Sequence, residues 1–176
     1  MNVTRRTTLG ALAAGSLAGM GLPARAQAAN TLRFHQMLPP QATIPAKAIV
    51  PWAQKVERES GGRIRVQHFP TMQLGGRPPE LFDQAKDGVV DLIWTVLGYT
   101  PGRFPKSEVF ELPFSTGNAE AGSRAFQEYV ETHAMDEFKD VKLICVHIHG
   151  PGLFHSKDPV TRLEDLKGMK VRGGSR

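Results

Sequence analysis

Four runs of apolar residues in the chain have the lengths and spacings of β-strands. One of them alternates, with Ile64 and Val66 facing one way and Arg63 and Arg65 the other, which indicates a half-exposed strand. Another is almost continuously apolar and is interrupted only by Asp91, which is typical of a buried parallel strand. The strands predicted in this way are residues 31–35, 63–69, 89–97 and 141–148.

Helical periodicity occupies the stretches between these strands. Residues 44–60 repeat an apolar side chain at every fourth position, and Pro51 within them predicts a kink or a late start. A second helix opens at Pro78 and Pro79 and ends at Gly88, which suits a left-handed cap. A third helix covers residues 119–138. The inner faces predicted for the first and third helices are Ile44, Ala48, Trp52 and Val56, and Phe126, Tyr129, Val130, Ala134 and Phe138.

Strands that alternate with helices predict an α/β domain with a mostly parallel sheet. Domains of this class bind ligands at the carboxyl ends of their strands. The residues at those ends combine aromatic rings, imidazoles and glycine backbone, so we predict a pocket rim there without a catalytic set. Its members are His35, Trp94, Gly98, Tyr99 and His149, with Trp94 either in the pocket floor or in the core.

The first 26 residues are typical of an export signal. Paired Arg5 and Arg6 precede a short apolar run diluted with glycine, and small residues suitable for cleavage follow near Ala26 or Ala28. The arginine pair indicates the twin-arginine route, with an ordinary secretory signal or an uncleaved anchor as the alternatives. Export by either route predicts a mature chain in the periplasm.

Composition removes several functional classes. The net charge is +5, but outside residues 1–26 there are 19 basic and 17 acidic residues. A nucleic-acid binder keeps a basic stripe in its folded part, so no nucleic-acid partner is predicted. The single cysteine, Cys145, excludes an intramolecular disulfide framework and a cysteine-based zinc cluster, and we expect it to be buried as a small hydrophobe.

Three histidines provide an alternative to a binding role. His147 and His149 share one face of their predicted strand and, with His155, could hold the metal ion of a secreted metal-dependent hydrolase. His155 joins them only if the intervening turn folds back, so two ordinary strand-end histidines are the favoured interpretation. The sequence contains no nucleophile elbow, zinc-protease motif or phosphate-binding loop. We predict neither a metal nor a cofactor.

The last stretch of the chain points to an anion. Residues 163–166 are typical of one helical turn, Gly168 of its cap, and residues 169–172 of a short strand that ends at Arg172 beside a Gly173-Gly174 turn. The planar guanidinium group of arginine binds a carboxylate through two parallel hydrogen bonds, which lysine cannot do. Arg172 is therefore a candidate ligand-binding residue, with an exposed strand-end arginine as the alternative.

Five short motifs, in this order, resemble the solute-binding subunits of tripartite ATP-independent periplasmic (TRAP) transporters, the DctP-like family. The resemblance extends from Leu32 to Arg172. The motifs are Ser60-Gly61-Gly62-Arg63-Ile64, Phe69-Pro70 with Gln73-Leu74-Gly75-Gly76, Gly88-Val89-Val90-Asp91-Leu92, Glu111-Leu112-Pro113-Phe114, and Glu164-Asp165-Leu166-Lys167-Gly168-Met169-Lys170-Val171-Arg172.

The resemblance implies a two-lobed, Venus-flytrap α/β protein that is a receptor and not an enzyme. Such a protein captures an organic acid, closes around it and delivers it to the small and large permease subunits of an ion-gradient-driven transporter. It also implies that Arg172 pairs with the carboxylate of the ligand. Sialic-acid binders of the family have a basic residue where this chain has Gly152, which disfavours a sialic acid. The bulk of Phe154, Trp94 and Tyr99 favours an apolar or aromatic ligand.

A solute receptor that feeds a sensor system is the alternative to a transport role. Family members continue well beyond the equivalent of Arg172. We therefore expect residues 1–26 to be the signal, residues 27–150 the first lobe, and residues 151–176 the start of the second lobe of a truncated chain.

Overall fold

The computed structural model describes residues 29–112, 115 and 117–173. A parallel sheet of three strands, in the order β2–β1–β3, lies at its centre. The strands are β1 (Asn30–Gln36), β2 (Ile64–Phe69) and β3 (Leu92–Trp94). Phe34 is in register with His68 on one side and with Leu92 on the other. The parallel sheet is therefore confirmed, while the predicted signal lies outside the described residues.

Three α-helices connect and cover the strands, and turns of other helical types extend each of them. Helical conformation begins at residues 43–44, near the predicted start, so the late start expected from Pro51 is wrong. A π-helical turn at Pro45–Ile49 separates these residues from the α-helix that runs from Val50 to Glu59. Gly88 ends the second helix with a φ of 70°, the left-handed conformation expected of its cap. The helices are α1 (Val50–Glu59), α2 (Leu81–Lys86) and α3 (Ala119–Tyr129). The flanking turns are Pro45–Ile49 before α1, Pro78–Glu80 before α2, and Val130–Ala134 and Met135–Phe138 after α3.

The buried face of the first helix is displaced by one residue from the prediction. Pro45, Ile49 and Ala53 are buried, whereas Ala48 is exposed. The π-helical turn is wider than an α-helical turn, so it changes the angular spacing of side chains before α1 begins. Trp52 is only half-buried and packs edge-on against Phe34, with 6.1 Å between the ring centroids.

The largest apolar cluster lies between α2, α3 and the sheet. Phe104 stacks on Phe138 at 5.4 Å between centroids and meets Phe82 edge-on at 5.0 Å. The predicted inner face of the third helix is confirmed, because Phe126, Val130, Ala134 and Phe138 are buried and Tyr129 packs against them. Asn118 caps this helix by accepting a hydrogen bond from Ala121 N–H at 2.9 Å.

The strand predicted over residues 89–97 is wrong in its extent. Only Leu92–Trp94 pairs with β1, and Val89 is 51% exposed. The pairing cannot continue because β1 ends at Gln36, whose side-chain oxygen accepts a hydrogen bond from the Leu38 N–H as the chain turns away. After β3 the chain forms a 3₁₀ turn at Leu97–Tyr99 instead.

The predicted strands at residues 141–148 and 169–172 are not present as strands. In the first segment the Val146 N–H donates to Gln127 Oε1 at 2.8 Å, and the Ile148 N–H donates to Ser123 Oγ at 3.1 Å. Side chains of α3 thus bind backbone groups that a neighbouring strand would bind in a sheet. Cys145 is exposed, so the prediction that it is buried is also wrong.

Among the described residues, no helix is both long and apolar enough to cross a bilayer.

Candidate functional site

The carboxyl ends of the strands were predicted to form a pocket rim, and His35 lies in the interior of that region. Its side chain is fully buried. Nδ1 donates to Gln84 Oε1 at 2.7 Å, and Nε2 accepts from the Leu74 N–H at 3.3 Å. Both ring nitrogens are therefore occupied by protein groups. Both polar atoms of His35 are thus bound within the chain, and its role in ligand binding stays a prediction.

Gln36, next to it at the end of β1, is equally buried, and its amide group is also hydrogen-bonded within the chain. Its amide nitrogen donates to the Leu38 carbonyl at 2.8 Å and to His68 Nε2 at 3.1 Å. Burial lowers the pKa of His68, which favours the neutral imidazole that can accept this bond. These contacts attach the end of β1 to the end of β2 and to the following loop.

Gly98 is buried at the start of the loop after β3, and a carboxylate covers it. Its N–H donates to Glu111 Oε1 at 3.0 Å, and a Cβ atom at this position would overlap the Glu111 carboxylate. The backbone donor predicted for a ligand is thus bound by a residue of the chain itself. Sequence reasoning missed Glu111 in this role because 13 residues separate it from Gly98. Neighbouring Tyr99 is half-buried.

Trp94 ends β3 and pairs with a residue far away in the chain. Its indole Nε1–H donates to His147 Nε2 at 2.8 Å, and the two ring planes differ by 15°. Trp94 is half-buried and His147 is exposed. No local pattern predicts this pair, because 53 residues separate its members and the apolar pattern of residues 141–148 is typical of a strand.

The metal-binding alternative finds no support in this geometry. His147 uses Nε2 to accept the bond from Trp94, and His149 Nδ1 donates to the Gly150 carbonyl at 2.6 Å. Within residues 29–112, 115 and 117–173, no three histidine, cysteine, aspartate or glutamate side chains come close enough to hold an ion. His155 is exposed.

Arg172 and Phe154 lie in the extended, exposed end of the chain. Phe154 is 58% exposed, and Arg172 forms no ion pair with another described residue. The helical turn predicted six residues upstream is confirmed at Leu163–Leu166, as is the left-handed Gly168 with a φ of 81°. The structure therefore defines the conformation of the turn that precedes Arg172, and the guanidinium group of Arg172 is accessible.

Asp165 stabilises this turn as the acceptor of several bonds. It accepts hydrogen bonds from the N–H groups of Thr161 and Arg162 at 2.9 and 3.0 Å and from the Thr161 hydroxyl at 3.1 Å. These donors lower the pKa of the Asp165 carboxyl group, because they bind its charged form. The motif that carries Arg172 thus has a local structural basis.

A shallow groove of about 450 Å³ lies between α3 and residues 144–146. None of the residues predicted for ligand binding lines it. The side chains around it include Ser123, Gln127, Ile144 and Val146. This groove is therefore separate from the predicted rim.

A family model supports the interpretation of the motifs. The model of the bacterial extracellular solute-binding proteins, family 7 (DctP), matches residues 34–175. This chain belongs to that family. The match includes Trp94, His147 and Arg172, and the predicted family resemblance is confirmed.

Solved structures of family members have the same fold. A TRAP solute-binding protein from Rhodoferax ferrireducens, in complex with copurified benzoate, is 54% identical and superposes with a TM-score of 0.79 over 83% of this chain and 46% of its own. A marine metagenome TRAP solute-binding protein specific for aromatic acids, with 3-hydroxybenzoate, is 52% identical with a TM-score of 0.80, over 84% of this chain and 47% of its own. The predicted α/β solute-binding fold is confirmed.

A curated relative matches over almost the whole chain. The outer membrane transporter protein TsaT of Comamonas testosteroni is 28% identical over 97% of this chain and 49% of its own length. The chain thus spans about half the length of the relatives it matches. Proteins of this family are receptors for solutes, and its solved members with bound acids are TRAP solute-binding proteins.

Proposed function

We propose that this chain belongs to a periplasmic receptor that captures an aromatic carboxylate and delivers it to the membrane permease of a TRAP transporter. One observation carries the proposal. The chain is 52–54% identical to two receptors whose structures contain benzoate and 3-hydroxybenzoate, and it superposes on them with TM-scores of 0.79 and 0.80. Both ligands join one aromatic ring to one carboxylate, which agrees with the aromatic ligand expected from the bulky side chains.

In this proposal Arg172 binds the carboxylate of the ligand. Its exposed guanidinium group follows the turn that Asp165 stabilises, and its fork of donors matches a carboxylate in two parallel bonds. Trp94, Tyr99 and Phe154 contribute apolar surface for the ring. His35 and Gly98 stabilise the loops next to the site and do not bind the ligand through their polar atoms, because those atoms are already bound within the chain.

The proposal includes the division of the chain and its location. Residues 1–26 are the export signal, residues 27–150 belong to the first lobe, and residues 151–176 begin the second lobe. Ligand contacts to both lobes offset the free energy of ordering them, so that the receptor closes on the acid. Closure removes water from the carboxylate–arginine pair, and this desolvation favours acids over neutral ligands.

Native mass spectrometry of the protein purified at its natural length from the host periplasm tests this function. We expect the mass of a chain without its signal, together with a small acid that is released on denaturation. Calorimetric titration should then show binding of benzoate and 3-hydroxybenzoate. A protein that releases no acid and gives no heat with either compound would contradict the proposed function.

Uptake experiments test delivery to the permease. Host cells lacking the gene should no longer accumulate labelled benzoate, and a plasmid copy should restore uptake. Normal uptake in the deletion strain, combined with a lost transcriptional response to benzoate, would instead favour the receptor of a sensor system.

A further inference from the structure

A flat surface of two rings stands at the carboxyl end of β3. The indole of Trp94 donates its N–H to His147 Nε2 at 2.8 Å, with 5.9 Å between ring centroids and 15° between ring planes. An N–H···N bond of this kind lies in the plane of both rings. The indole and the imidazole therefore lie edge to edge in nearly one plane, and they present a continuous aromatic face.

This surface is separate from the apolar core. Ile93 packs against the core cluster, and successive side chains of a strand point to opposite faces, so Trp94 points away from that cluster. Trp94 is in register with Gln36 of β1. Gln36 lies two residues after Phe34, so Gln36 and Phe34 are on the same face of the sheet. Trp94 is half-buried and His147 is exposed, so the pair is partly open to solvent.

The hydrogen bond also determines the charge of the surface. An indole nitrogen can only donate, so His147 Nε2 must be the acceptor and the imidazole is neutral in this arrangement. Neither ring forms an ion pair with a described residue. An aromatic acid can therefore place its ring on this surface while its carboxylate binds elsewhere, and ring-on-ring packing is favourable beyond the area it buries.

We propose that the Trp94–His147 pair is the surface on which the aromatic ring of the ligand stacks, and that it selects aromatic over aliphatic acids. Trp94 contacts the ligand, and His147 is a positioning residue that holds the indole in the plane required. The inference rests on the proposed function and adds to it the positioning role of His147 and the preference for aromatic acids.

A pair of matched acids tests the proposal on the protein at its natural length. Benzoate and cyclohexanecarboxylate carry the same carboxylate on rings of similar size, and only the first is aromatic. We expect Trp94→Leu to weaken benzoate about tenfold more than cyclohexanecarboxylate, a difference that equals about 1.4 kcal/mol, because only the first acid loses aromatic stacking. Trp94→Phe keeps a ring in place and should retain part of the preference, which provides a second variant if Trp94→Leu folds poorly.

Variants of His147 separate positioning from general stability. His147→Leu removes the acceptor and should reduce the benzoate preference about threefold, the size expected for a weak aromatic contact. His147→Gln places an amide oxygen near the same position and should restore most of the preference. Trp52→Phe is the control, because Trp52 packs on Phe34 and not at the end of β3. It should leave the preference unchanged.

The outcomes distinguish this inference from the proposed function. If the unaltered protein binds benzoate but the preference survives both Trp94 substitutions, the stacking surface is wrong and the receptor function stands. If the preference falls with His147→Leu and His147→Gln does not restore it, the positioning role of His147 is wrong. If the unaltered protein binds neither acid, the proposed function and this inference fail together.

Discussion

The carboxyl ends of β1 and β3 lie side by side in the sheet, yet their side chains are used in different ways. At the end of β1, His35 and Gln36 are fully buried and protein groups occupy their polar atoms. At the end of β3, Trp94 is half-buried and bonded to an exposed His147. The first pair binds the following loops and the end of β2, whereas we propose that the second pair provides ring surface for a ligand.

The difference shows that side chains at neighbouring strand ends can differ in burial and in how their polar atoms are bound. A histidine with both nitrogens bound inside the protein is part of the scaffold, because a ligand could bind it only by breaking buried hydrogen bonds. A histidine that uses one nitrogen to hold a neighbouring ring can still support recognition. Substitutions at four positions test whether the two strand ends differ in this way.

The largest effect is expected at Arg172, where the charge of the ligand is proposed to bind. Arg172→Ala should weaken binding of benzoate by about a hundredfold or more, or about 2.7 kcal/mol, because a desolvated charge pair is lost. Arg172→Lys should be nearly as damaging, since the two parallel hydrogen bonds are lost. Calorimetry and thermal unfolding of the same samples check both statements. Near-native affinity in Arg172→Ala would remove this residue from the site.

His35→Leu should mainly affect folding. The substitution leaves the Leu74 N–H and the Gln84 amide without their buried partner, so we expect the free energy of unfolding to fall by about 2 kcal/mol. His35→Asn should recover part of this loss through a bond to Gln84. Urea unfolding measures the change.

The matched control for His35→Leu is His147→Leu on the exposed side of the comparison. Surface substitutions usually change stability by less than about 0.5 kcal/mol, and we expect no more here. Equal losses in the free energy of unfolding at the two positions would show that the buried and the exposed histidine have the same structural role. The proposed difference between the two strand ends would then be wrong.

Gln127→Leu should loosen the segment that carries His147. Its side-chain oxygen accepts a hydrogen bond from the Val146 N–H at 2.8 Å, so removal should cost about 1 kcal/mol at most. Amide hydrogen exchange should become faster at Val146 and its neighbours while β1 keeps its protection. Glu128→Ala, at an exposed position of the same helix, is the control. Unchanged exchange at Val146 would show that α3 does not hold this segment.

The smallest effect expected is an acid-dependent loss of stability at His68. Burial lowers its pKa in the folded state below the unfolded value of 6.5, so the unfolded chain binds the proton more tightly. This contribution is fully present above the unfolded pKa, and it is lost as the pH falls below that value. Urea unfolding as a function of pH should show a smaller decline on acidification in His68→Gln. An identical pH profile would exclude His68 as the cause.

Local sequence patterns predicted those elements that depend on nearby residues. Gly88 and Gly168 have the left-handed conformations that the pattern required, and the inner face of the third helix is buried as its periodicity indicated. Helical spacing and glycine caps act within a few residues, so one sequence is enough to recognise them. The face of the first helix was misplaced because an unforeseen π-helical turn precedes α1.

The amino-acid sequence was enough to predict the order of elements from β1 to α3, the family, and the arginine proposed to bind the acid. The tertiary structure alone shows that both ring nitrogens of His35 are bound within the chain, that the Gly98 N–H is bound by Glu111, and that Trp94 contacts His147. It also decided that residues 141–148 bond to α3 side chains and not to a sheet. Each of these outcomes depends on contacts between distant positions in the chain, and a local pattern of polar and apolar residues does not encode which distant groups fill a hydrogen bond.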